Sequence, residues 1–336
     1  MSEGRRSRFW LYAPFVALAV LAAGWTAVWF YAAQRADTML AAWMAREAVL
    51  GRQYHCGQRK TAGYPFRIEV TCTDLKITFA NDEGPVTLAA PKLLALAQIY
   101  TPDLVILEAT GPMTVKQPAT GIDYVASWTM LQASARGRPS APQRLSLVVT
   151  APKLALPNRP DALMEAKGFQ FHAKRQENAA DPIFDLALNV DTLTSAAPAL
   201  TGRPLTGELV GVLRGLKDLR PKPWPARLRE WQGNAGRVEL TRSRITLGDA
   251  VAVGQGDLGL TPQGRLDGTV NLRVAGLEQI AGLFFASSES RPVITALNML
   301  ARSDIDGKKA VAVPLSFRDG RILFGPVPVG RVGPLF

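Results

Sequence analysis

The chain has 336 residues, 47% of them hydrophobic and 20% charged, a balance that excludes a disordered chain and supplies a sizeable core. Its net charge is +11, and the first eight residues contribute only three arginines (Arg5, Arg6 and Arg8) against Glu3, so most of the charge lies further along. The 29 glycines and 24 prolines fall between short apolar runs, which is typical of many strands joined by turns.

Residues 9–31, FWLYAPFVALAVLAAGWTAVWFY, carry no charge. At about 1.5 Å per residue, a helix of this length spans a hydrocarbon core of about 30 Å. Trp10 and Tyr12 lie near one end and Trp25 and Trp29 near the other, where aromatic rings settle at the headgroups. The sequence therefore predicts one transmembrane helix over residues 9–31.

The flanks of this run predict its orientation. Arginines dominate residues 1–8, whereas Arg35 and Asp37 offset each other after the run, so residues 1–8 are predicted to form a cytoplasmic basic head. Residues 32–336 would then be exported as a β-rich domain. A cleaved secretory signal is the alternative, although the run exceeds the 7–15 apolar residues of a usual signal.

Residues 32–50 place apolar side chains at helical spacing and predict an amphipathic helix that ends at Gly51. Cys56 and Cys72 follow. In an oxidising compartment such a near pair is expected to form one disulfide, worth about 3 kcal/mol in the loop-entropy picture. Two buried free thiols are the alternative. The disulfide would tie the end of the helix to the next predicted strand.

That strand begins with Gly63, Tyr64, Pro65 and Phe66, and residues 66–72 alternate apolar and polar side chains as a half-buried strand does. The Gly-Tyr-Pro-Phe segment is predicted to be a rigid, aromatic start to the strand, with contact to lipid as the alternative. Further strand candidates follow one another to residue 213.

The C-terminal part contains a predicted helical segment over residues 276–302 and a last hairpin. Asp319 and Gly320 are predicted to turn that hairpin, and Gly325 and Pro326 end it. Residues 221–225, Pro-Lys-Pro-Trp-Pro, are predicted to be an extended connector within one continuous domain. The motif Ala-Pro-Lys-Leu at residues 90–93 recurs at 151–154, which indicates either a duplicated β-unit or chance.

The uncharged span, the GYPFRIEV strand after a cysteine and the ending PLSFRDGRILFGP resemble an uncharacterised proteobacterial envelope family labelled only as a domain of unknown function. The layout is more distantly similar to AsmA-like envelope proteins, which share a single N-terminal span and long repetitive β-structure. The resemblance implies a single-pass protein of the bacterial inner membrane with its bulk in the periplasm. It supplies no catalytic residues.

The expected fold is α+β and mainly β. One N-terminal transmembrane helix is followed by a large curved antiparallel sheet, open or half-barrel, with a few helices packed on its concave face.

No motif predicts chemistry. Residues 254–259 match G-x-G-x-x-G, but a turn and a strand follow them and not a helix. His55 and His172 have no metal-ligand spacing, and no nucleophile motif surrounds the serines at 287–290. We therefore predict no catalytic residue, cofactor or metal, and no enzyme.

The predicted function is non-enzymatic binding or transfer of phospholipid, or another envelope lipid, along an apolar groove of the sheet. The expected partners are the inner membrane and lipid, because a basic surface outside the cytoplasm faces anionic headgroups and not nucleic acid. A structural or assembly protein that binds other envelope proteins is the alternative, and a hydrolase with an unrecognised site is a third.

Overall fold

A computed structural model describes residues 9–81, 84–118, 121–138, 140–177, 179–197, 200–220, 222–279 and 303–336. It confirms the expected mainly-β fold, in which a long N-terminal helix is followed by one large antiparallel sheet. The helices are α1 (Phe9–Val49) and α2 (Trp224–Gly233). The strands are β1 (Gln53–His55), β2 (Gln58–Ala62), β3 (Arg67–Asn81), β4 (Gly84–Gln98), β5 (Thr101–Thr110), β6 (Met113–Gln117), β7 (Ile122–Ser127), β8 (Met130–Arg138), β9 (Ala141–Thr150), β10 (Lys153–Leu156), β11 (Arg159–Glu165), β12 (Gly168–Arg175), β13 (Phe184–Ser195), β14 (Leu205–Arg214), β15 (Arg237–Leu247), β16 (Ala250–Leu260), β17 (Leu266–Ala275), β18 (Ser303–Ile305), β19 (Lys308–Arg318), β20 (Arg321–Phe324) and β21 (Val327–Arg331).

The helix α1 continues unbroken through the predicted span and the predicted amphipathic segment. It contains no glycine after Gly24, and it ends just before Gly51, whose φ of +78° suits a helix C-terminus. Side chains of its first half point away from the rest of the chain, with Trp10 81% and Phe30 62% exposed. The helix is long and apolar enough to cross a membrane, by its length and composition.

The strands follow one another across the sheet in chain order. β1 and β2 both pair with β3 at one edge, and β3 pairs with β4. The next four positions are long strands broken in the middle, so β5 and β6, β7 and β8, β9 and β10, and β11 and β12 each form one line. β13 to β17, then β19 to β21, complete the sheet, and β18 pairs beside β19.

The breaks line up from β3 to β13 as a crease across the sheet. Asp74 in β3, Ala151 between β9 and β10, and Thr192 in β13 have φ values of 50°, 49° and 49°. Asp74 in β3 and Pro91 in β4 lie opposite each other, and both are left out of the ladder of paired residues. Such interruptions increase the local twist of a strand, so an aligned row of them curls the sheet.

Both copies of the Ala-Pro-Lys-Leu motif lie on this crease. Pro91 faces the break in β3, and Pro152 lies in the gap between β9 and β10. Proline has no N–H to donate and therefore fits where a ladder of hydrogen bonds is interrupted. The recurrence thus marks one structural position that the two segments share.

The prediction that residues 221–225 form only an extended connector was wrong in its second half, because α2 begins at Trp224. Pro225 suits the first turn of a helix, where its missing N–H has no intrahelical partner. Leu228 and Trp231 are buried, and the Trp231 indole N–H donates to the Arg214 carbonyl at 2.6 Å. Two apolar residues on one helical face are too weak a pattern to show from sequence.

Of the predicted helical segment 276–302, all but the first residues lie outside the described residues. Leu277, which begins a helical turn after β17, is buried against Ala250, Ala252 and Val274. At the C-terminus, Asp319 and Gly320 are the two central residues of the turn between β19 and β20, with φ values of 51° and 76°. Two such values are typical of a type I′ hairpin.

The structure joins Cys56, which lies between β1 and β2, to Cys72 in β3. The disulfide therefore holds the broken first edge of the sheet to its first long strand. Replacing both cysteines, Cys56→Ser with Cys72→Ala, should lower the free energy of unfolding by about 2–4 kcal/mol. Urea unfolding in detergent micelles checks the loss, and protease should cut first near residues 58–63.

The matched control is the wild-type chain under reducing conditions, which keeps every side chain and should show the same loss. Thiol labelling of the unreduced, denatured wild type gives the opposing outcome, because two labelled cysteines would exclude the disulfide.

Candidate functional site

One face of the sheet is built mainly from apolar side chains and carries no charged residue in its three central rows. Directly opposite residues of antiparallel strands point to the same face, so the strand register defines rows that cross the sheet. Three such rows form what we call the apolar face, and the second runs from Val70 to Val313 and the third from Cys72 to Val311. The first row contains Ile68, Ala97, Val105, Ala135, Leu145, Ala173, Leu186, Gly211, Leu240, Gly256, Val270, Leu315 and Phe324.

No charged side chain interrupts these three rows. Ser243, in the second row, carries their one hydroxyl group; it is buried and donates to the Gly254 carbonyl at 2.9 Å. Cys72 belongs to the disulfide. The apolar face therefore offers no free polar group along its three rows.

The residues between these rows point to the opposite face, which we call the outer face. It carries the charges: Arg136, Arg144 and Lys174 lie directly opposite one another on β8, β9 and β12. A depression of about 900 Å³ on this face lies between β14 and β19, with Arg242 and Arg273 among its lining residues. The alternation along each strand thus separates an apolar face from a charged one.

Strands β16 and β17 approach each other closely on the apolar face. A Cβ added to Gly254 would lie 2.4 Å from the Asn271 carbonyl oxygen, and one added to Gly256 would lie 2.4 Å from that of Thr269. Both glycines belong to the rows of the apolar face, so β17 bends toward that face beside β16. The observed architecture of the sheet is a partial barrel.

Burial differs between the two faces along β12, where Ala173 on the apolar face is 5% exposed and His172 and Lys174 on the outer face are exposed. In the C-terminal half both faces have buried residues, because Val251, Ala275 and Ala310 form a buried cluster with Ile305 on the outer face.

Within the described ranges, no second layer covers the apolar face over its first strands. Val105, Leu107 and Leu145 remain 38%, 37% and 39% exposed on β5 and β9. The whole chain exposes 21278 Å², against roughly 13,000 Å² for a compact protein of its mass. Part of the excess belongs to α1, and part to the open sheet.

The second half of α1 lies on the apolar face at its first edge. Thr61 and Tyr54, which lie opposite Val70 and Ile77, point to that face. The Thr61 hydroxyl donates to both carboxylate oxygens of Asp37 at 3.1 Å, and the Tyr54 ring packs 4.7 Å from Trp43. Burial beside Trp43 raises the pKa of Tyr54.

The aromatic loop, residues Gly63–Phe66, binds α1 within the predicted span. The Trp25 indole N–H donates to the Pro65 carbonyl at 2.8 Å, and the Tyr64 hydroxyl lies 2.8 Å from that of Thr26. The Trp29 indole N–H donates to the Arg67 carbonyl at 2.9 Å. Gly63 has a φ of +101°, and a Cβ there would lie 2.6 Å from the Arg67 carbonyl oxygen, so a glycine is needed at this turn.

The sequence did not predict this contact between α1 and the aromatic loop. It assigned Trp25 and Trp29 to the headgroup region and the aromatic loop to the start of a strand, and the structure brings the two together. The two parts lie about 40 residues apart, and no local signal pairs them. An indole needs a hydrogen-bond partner when it is sheltered, which is the one general hint that the sequence contained.

The charged groups near α2 form ion pairs that belong to the local fold. A hydrogen bond from Arg220 holds the pKa of Asp218 well below its usual range, and one from Lys222 lowers the pKa of Glu230. These exposed pairs connect the segment before α2 to the helix itself and add little to stability. Among the described residues, no group of three or more His, Cys, Asp or Glu side chains could hold a metal ion.

A family model described as "Uncharacterized protein conserved in bacteria (DUF2125)" matches residues 29–333. The predicted resemblance to a family with a domain-of-unknown-function label is thereby confirmed, while the AsmA-like resemblance stays a prediction. Comparisons with curated proteins and with solved structures found no match. The matched range begins at Trp29 in α1 and includes the aromatic loop and all strands of the apolar face.

The curvature of the sheet can be tested at two glycines of the apolar face. Gly256→Ala should lower the free energy of unfolding by about 1–3 kcal/mol, because its Cβ would press on the β17 backbone. Gly207→Ala is the matched control: it lies on the same face on β14, two strands away, and has nothing within 4 Å of the new Cβ. Urea unfolding followed by tryptophan fluorescence would contradict the curvature if both variants were equally stable.

Proposed function

We propose that the chain, which belongs to the DUF2125 family of uncharacterized proteins conserved in bacteria, binds the acyl chains of lipids on the apolar face and passes lipid along it. The observation that carries the proposal is the set of three uncharged rows, which continue across the sheet from the edge where α1 is attached. The protein would act without catalysis, from the inner membrane, with its sheet in the periplasm.

The dimensions of the apolar face suit acyl chains. The first row crosses thirteen strand positions, and at about 4.8 Å per strand its length is about 58 Å along the curve. Three rows with about 6.6 Å between neighbours form a band about 13 Å wide between the outer two. One leaflet of a bilayer is about 15 Å deep in hydrocarbon, so several lipids could lie side by side along the band.

Exposure of the face also favours a ligand. Val105 and Leu107 lie in the first two rows on β5, Leu145 lies in the first row on β9 beyond Ala135 of β8, and all three large side chains are more than one-third exposed. A contiguous apolar patch of this kind is unfavourable in water and usually marks a binding surface. Acyl chains would remove it from water without needing any polar partner, and the three rows offer none.

The position of the face next to α1 supports a membrane source for the lipid. Ile68, the first residue of the first row, lies two residues after the aromatic loop. The Pro65 carbonyl of this loop accepts from Trp25, and its Tyr64 ring packs 5.5 Å from Trp29 of the predicted span. A lipid could therefore move from the bilayer onto the face with little exposure of its chains to water. The charged outer face would remain in the solvent throughout.

A photo-crosslinking amino acid tests the proposal in the full-length protein in cells. Placed at Leu107 on the apolar face, it should yield lipid adducts that mass spectrometry identifies. The matched control position is Ile106, the neighbouring residue on the outer face, which should yield none. Adducts dominated by one protein at both positions would contradict lipid carriage and favour the assembly alternative.

A charge on the apolar face should block lipid. Leu107→Lys would place an ammonium group among the rows, where desolvation of a charge is costly, and it should reduce lipid adducts from a probe at Leu188 at least tenfold. Ile106→Lys is the control and should leave them unchanged. The proposal fails if the two variants give equal adduct yields.

A further inference from the structure

The aromatic loop is bonded to α1 at a defined depth. Trp25 and Trp29 are 16 and 20 residues after Phe9, or about 24 and 30 Å along the helix. A hydrocarbon core of about 30 Å that begins near Phe9 therefore still surrounds Trp25 and ends near Trp29. Any segment in hydrogen-bond contact with these side chains lies at the same depth.

Four carbonyl groups of this segment, those of Gly63, Pro65, Phe66 and Arg67, have donors within the protein. Indole N–H groups of α1 donate to the Pro65 and Arg67 carbonyls, and the Ile99 amide donates to the Phe66 carbonyl at 3.1 Å. Gly63 accepts from the Arg67 amide at 3.1 Å. Non-helical backbone is tolerated at membrane depth only where its polar groups have such partners.

The hydroxyl groups are paired in the same way. Thr26 donates its proton to the Ala22 carbonyl at 2.7 Å, so the Tyr64 hydroxyl must be the donor in its 2.8 Å contact with the Thr26 oxygen. Neither hydroxyl then needs water as an acceptor for its proton. The polar end of Tyr64 faces α1 and leaves the ring free to meet lipid.

The apolar parts of the segment are exposed. Tyr64 is 53% and Phe66 62% exposed, and Tyr100, in the turn between β4 and β5, is 65% exposed. The Ile99–Phe66 hydrogen bond places that turn beside the aromatic loop. The three rings continue the exposed apolar surface of α1, and the next charged residues along β3 are Arg67 and Glu69, paired at 2.5 Å.

From these contacts we propose that Tyr64, Phe66 and Tyr100 insert into the outer leaflet of the membrane that α1 crosses. The end of the sheet at β3 to β5 would then be seated in the bilayer, with its aromatic rings among the acyl chains and headgroups. The inference rests on the membrane span and does not require that the apolar face carries lipid.

Fluorescence quenching by brominated lipids tests the insertion. The chain contains only two cysteines, and both are in the disulfide, so single cysteines can be labelled with the environment-sensitive dye NBD. Phe66→Cys and Tyr100→Cys in the full-length protein, reconstituted into phosphatidylglycerol and phosphatidylcholine vesicles, should give blue-shifted emission that acyl-brominated lipids quench. Thr201→Cys, exposed in the turn between β13 and β14, is the control and should stay unquenched. Aqueous emission without quenching at both 66 and 100 would overturn the proposal.

High salt distinguishes hydrophobic insertion of the rings from electrostatic adsorption of the protein to the headgroups. In about 1 M salt the Debye length falls to about 3 Å, which screens attraction between a basic surface and anionic headgroups. Quenching at positions 66 and 100 should persist there, because insertion is hydrophobic, and loss of quenching would refute insertion.

Removing the hydrogen bonds between α1 and the aromatic loop should let the loop move out of the bilayer toward the water. The double variant Trp25→Phe with Tyr64→Phe keeps the rings and removes two hydrogen bonds to the loop, so quenching at position 66 should fall by at least half. Unchanged quenching in this variant would show that the bonds do not set the depth. Lipid adducts at Leu107 without quenching at 66 would support lipid carriage and refute insertion, and the reverse result would support insertion alone.

Discussion

The structure depends on keeping charged side chains off one face of a sheet whose strands are interrupted. Alternation has a period of two, so one extra residue in a strand sends all later side chains to the other face. β3 presents Cys72 before Asp74 and Leu75 after it, a change from even to odd numbers, and β4 makes the matching change between Leu93 and Ala90. Because the strands from β3 to β13 are all interrupted on the same crease, the apolar face continues across it.

Local features of the fold were therefore predictable from the sequence, whereas the continuous apolar face and the contact between α1 and the aromatic loop were not. Alternation revealed the half-buried strands, and Asp319-Gly320 revealed a hairpin turn, since each depends on a few neighbouring residues. The crease requires the register of seven strand positions at once, and the contact requires Trp25 to meet Pro65, 40 residues away. Alternation shows that a strand has an apolar side; only register shows that all of these sides coincide.

The contact between the aromatic loop and α1 also determines how firmly the helix holds the sheet. A separate span and amphipathic helix would allow the sheet to swing, whereas one unbroken α1 with contacts from Trp25 to Trp43 holds β1 and β3 along its length. The disulfide then fixes β3 to the edge strands that α1 covers. The first edge of the sheet is thus protected from pairing with another chain, a common hazard of open sheets.

The position of the charges follows from the same alternation. A sheet that keeps every charge out of its three apolar rows must carry them on the outer face, and Arg136, Arg144 and Lys174 consequently lie directly opposite one another. Like charges opposite each other are unfavourable unless they are solvated or paired. Here Arg136 lies 3.7 Å from Asp103, and Lys174 faces Asp185 on β13, so solvent and flanking carboxylates limit the repulsion. The alternation that keeps the three rows uncharged therefore also concentrates like charges in one row of the outer face, where they depend on solvent and nearby carboxylates.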